Sequence, residues 1–77
     1  MNNNAVIQTR LEELFKVMDP RANVDIFRQL KDGQELLRAN KLYNLLADSE
    51  FIGKYGSCKV IGLSVVLGVT SILIEEG

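Results

Sequence analysis

Seventy-seven residues hold one small domain at most, and a core of that size is marginal without a disulfide, a metal or a partner. Histidine is absent and Cys58 is the only cysteine, so there is no disulfide framework and no ligand set for a tetrahedral zinc site. Nine basic against ten acidic side chains leave a net charge of −1 with no basic stripe, and the electrostatic footprint of a nucleic-acid binder is missing.

Met1-Asn2-Asn3-Asn4 carries no positive charge ahead of an apolar run and is not expected to act as a signal peptide. Val6, Ile7, Leu11, Leu14, Phe15 and Met18 then recur at helical spacing as one stripe. Asn4 suits the N-cap, and Thr9 with Glu12 offers a rival start in the form of a capping box. Glu12 and Lys16 form a favourable i,i+4 pair off the stripe. Asp19-Pro20 ends this helix and suits the cap and first position of another. Ile26, Phe27 and Leu30 give that second helix an apolar edge, and Lys31-Asp32-Gly33 has the form of its C-terminal stop. Leu36, Ala39, Leu42, Tyr43, Leu46 and Ala47 share the face of a third helix, and one long helix through Gly33 is the alternative. Leu14, Phe15, Leu42 and Leu46 are the expected core of this helical part.

Residues 48–57 read as a connector punctuated by Gly53, Gly56 and Ser57. Beyond it, from Val60 to Ile74, there is no charge. More than half of that stretch is β-branched, which favours a strand. Ile61, Leu63, Val65, Leu67, Val69 and Leu73 alternate onto one face, and Gly62, Ser64, Gly68 and Thr70 fall on the other with Val66. A straight strand of that length would span roughly 50 Å, so the segment should bend at Gly62 or Gly68 or fold back as a hairpin. A helix packed through Ser64, Gly68 and Ser71 is the rival form.

The fold expected is one α+β domain over 1–77. Amphipathic helices fill 5–47, a connector follows, and a β-rich apolar segment fills 58–77. An all-α fold with a buried C-terminal helix is the alternative. No catalytic, cofactor-binding or metal site is expected. Cys58 lacks a histidine base. Asp32, Glu35, Asp48 and Glu50 stand where turns and helix starts favour acids. Gly62 and Gly68 belong to no phosphate loop.

The function expected is protein binding by a small regulator, inhibitor or assembly subunit of phage or plasmid type that acts as a homo-oligomer in the cytoplasm. A single unpaired cysteine suits a reducing compartment. Self-association is assigned to Ile61, Leu63, Val65, Leu67, Val69 and Leu73. Contact with another protein is assigned to Leu37 and Leu45, apolar residues off the main helical faces. Two rivals remain. The first is a tail-anchored membrane protein with a cytosolic helical head, its anchor running from Val60 to Ile74. The second is a dimeric DNA-binding regulator with a helix-turn-helix over Ile26–Leu46 that carries Arg38 and Lys41.

Overall fold

A computed structural model describes residues 9–76. Its elements run α1 (Leu11–Val17), β1 (Asn23–Leu30), β2 (Gly33–Lys41), α2 (Leu42–Leu46), α3 (Ser49–Tyr55), β3 (Lys59–Val66) and β4 (Val69–Glu75). The strands form a four-stranded mixed sheet in the order β2-β1-β4-β3. β1 and β2 are an antiparallel hairpin, β3 and β4 are another, and β1 lies parallel to β4 at the centre.

The helix-dominated fold expected from the sequence is corrected here. Among the described residues strand outweighs helix, 49% against 28%, and the all-α alternative falls as well. The expected second and third helices are absent over 23–41, where the chain forms the β1–β2 hairpin instead. Ordinary residues differ by at most about 0.7 kcal/mol each in helix propensity. Val24 and Ile26 alternate into the core and are fully buried, and each such burial is worth about 1.5–3 kcal/mol. Pairing with β1 then holds Gly33–Lys41 extended, although Gln34-Glu35-Leu36-Leu37-Arg38-Ala39 is helix-favouring in composition. Lys31-Asp32 is a two-residue turn between paired Leu30 and Gly33, not a helix stop. Asp19 caps no helix either, since its carboxylate accepts the Arg21 amide at 2.9 Å within the turn that leads into β1.

α1 begins at Leu11, and Glu13 reaches back to the Arg10 amide at 3.3 Å. Carbonyls of Cys58 and Gly56 take the amides of Leu11 and Glu12 at 2.9 and 2.8 Å, which fixes the start of the helix against the segment before β3. Asn4, Val6 and Ile7, expected to open this helix, lie outside the described residues. Asp48 caps α3 by accepting the Phe51 amide at 3.0 Å. At Gly56 an added Cβ would stand 2.5 Å from the Ile52 carbonyl oxygen, so only glycine lets the chain leave α3 this tightly.

The core lies on one face of the sheet. Val24, Ile26, Ile72 and Ile74 meet Leu11 and Phe15 of α1, Leu42 and Leu45 of α2, and Phe51 and Tyr55 of α3. The Phe51 and Tyr55 rings sit 5.4 Å apart and tilted, a favourable aromatic geometry. Leu14 is half-buried against this cluster, and Leu46, expected inside, is exposed.

Candidate functional site

Val60 to Ile74 folds as two strands around Leu67-Gly68. Those two residues carry the only positive φ angles among the described residues, 52° and 80°. Positive φ at both turn positions is the geometry that joins right-twisted strands, and glycine adopts it freely. Leucine does not; a left-handed conformation costs a bulky L-residue about 1–2 kcal/mol. Leu67 is also 99% exposed. A strained, solvent-facing leucine at a hairpin tip gains nothing for the fold of one chain.

The turn also sets which backbone groups face outward. Val66 pairs with Val69 across it, so this pair and Ser64 with Ser71 are the hydrogen-bonded pairs. The N–H and C=O groups of Leu63 and Val65 therefore point away from β4, towards the outer edge of the sheet. The start of that edge is occupied: Thr9 accepts the Val60 amide at 2.8 Å, and Arg10 bridges to Lys59. From Ile61 onwards no described residue pairs with the outer side of β3.

Among the described residues the side chains along this edge are mostly apolar and exposed. Leu63, Val65 and Val66 are 58%, 66% and 63% exposed, and Ile61 is exposed too. Lys59 is the only charged residue of β3, and its ammonium lies 3.8 Å from the Glu75 carboxylate.

The residues assigned to self-association from sequence do not share one face. A bulge at Ile61 and the turn at Leu67 both shift the alternation. Leu63 and Val65 lie on the helix-bearing side, level with Ile72 and Thr70, yet beyond the helices. Val69 and Leu73 are half-buried on the opposite side. Val66 was missed, although its place beside the Leu67-Gly68 turn marks it as exposed. The partner-binding assignment of Leu37 and Leu45 is corrected. Leu45 is 2% exposed in the core, and Leu37 is the extra residue of a bulge in β2, half-buried against that core.

Among the described residues the other titratable side chains singled out from sequence lie apart or in ion pairs. Cys58 is buried, and burial followed by the Glu76 charge pushes its thiol above the ordinary range, opposite to an activated nucleophile. Glu35 and Glu76 both pair with Arg28, the latter at 3.0 Å. Among the described residues there is no cluster of three or more metal-ligating side chains. The helix-turn-helix of the rival DNA-binding reading, over Ile26–Leu46, gives way to the β1–β2 hairpin followed by α2, and Arg38 lies over the Phe51 ring at 5.2 Å and 3.5 Å from Asp48. No helix among the described residues is long and apolar enough to cross a membrane. The helix-free face of the sheet bears a shallow depression lined by Phe27, Gln34, Gly62, Ser64, Ser71 and Leu73, uncharged and without a titratable group.

No protein-family model, curated protein or solved structure matches the chain.

Proposed function

We propose that this chain is a small non-catalytic protein-binding module, a regulator or assembly subunit, that works as a homo-oligomer through its C-terminal hairpin. The observation that carries this reading is the outer edge of β3, uncharged beyond Lys59 and unpaired from Ile61 on among the described residues, with Leu63, Val65, Val66 and Leu67 exposed along it. An edge strand with unpaired backbone groups and apolar side chains is a template for another strand, and proteins that remain single blunt such edges with charge. The cytoplasm is the proposed compartment, because the single cysteine suits a reducing milieu.

Light scattering coupled to size exclusion tests the reading. The expected mass is at least twice that of one chain in detergent-free buffer. A mass of one chain across a hundred-fold dilution series would remove the homo-oligomer.

A further inference from the structure

We draw no further inference here: the strongest candidate, the outer edge of β3 ending at the exposed hairpin-tip residue Leu67, carries none, because nothing in the structure shows what covers it.

Discussion

The sheet ends in two strands of similar length that are built in opposite ways. β2 carries Glu35, Arg38 and Lys41, is bulged at Leu37, and spends its arginine on Asp48 and the Phe51 ring. Those are the devices by which an edge strand refuses a neighbour. β3 has a single charge at its first residue, and its bulge at Ile61 precedes a run of exposed apolar side chains that ends at Leu67. One edge is closed by its own chemistry. The other is uncharged beyond Lys59, and no described residue pairs with its outer side from Ile61 on. This difference is what supports the proposal that β3 is the assembly edge.

The largest effect separates the hairpin's inner strand from its outer one. Ile72 is fully buried on β4, whereas Val65 is exposed on β3. Ile72→Ala should lower folding stability by about 2–5 kcal/mol. Val65→Ala should change the stability of a single chain by no more than about 0.5 kcal/mol. Urea melts at low protein concentration check the pair, and equal losses would mean that both strands serve one core.

A lysine then distinguishes the edges. Val65→Lys should abolish assembly, because an unpaired charge in an apolar interface costs several kcal/mol. Gln34→Lys on β2 should leave the assembled mass unchanged. Sedimentation velocity reads both variants, and equal behaviour would erase the contrast between the edges.

Leu67→Asn sharpens it further. Asparagine tolerates the left-handed conformation, so the variant should melt higher by up to about 1–2 kcal/mol when measured as a single chain in the Val65→Lys background. It should assemble less well than wild type when Val65 is intact. A variant that assembles as well as wild type would show that Leu67 contributes nothing at the tip.

The smallest effect lies away from both edges. The Asp19 carboxyl is held below its usual range, first by the Arg21 amide and then by the Arg21 side chain. A carboxyl lowered in the fold adds stability above its unfolded value, about pH 3.9, and loses it as pH falls through the folded one. Asp19→Asn should therefore slightly lower stability at neutral pH and flatten its decline in acid. The acid limb of a pH-dependent melt reads this directly.

Part of this was legible in the sequence. The charge-free run from Val60 to Ile74 and its alternating residues mark extended chain. Parity across the run was not legible, because the bulge at Ile61 and the turn at Leu67-Gly68 each shift it, and a leucine is not the residue that signals such a turn. The β1–β2 hairpin was hidden for a different reason. Gln34 to Ala39 favours a helix locally, and only its long-range pairing with Val24 and Ile26 overrides that. Lys31-Asp32-Gly33 serves a hairpin turn as readily as a helix end. Leu45 looked surplus on a helix continuous from Leu36, whereas α2 starts at Leu42 and turns Leu45 into the core. The candidate edge needed the sheet order, which places β3 outermost and β4 inside.

Amide hydrogen exchange compares the two edges within one sample. The two-residue turns direct the amides of Leu63 and Val65 outward on β3, and those of Gln34 and Leu36 outward on β2. If β3 is the assembly edge, the Leu63 and Val65 amides exchange slowly, and faster on dilution, while Gln34 and Leu36 exchange fast at every concentration. Fast, concentration-independent exchange at all four amides would contradict the assignment of β3 as the interface.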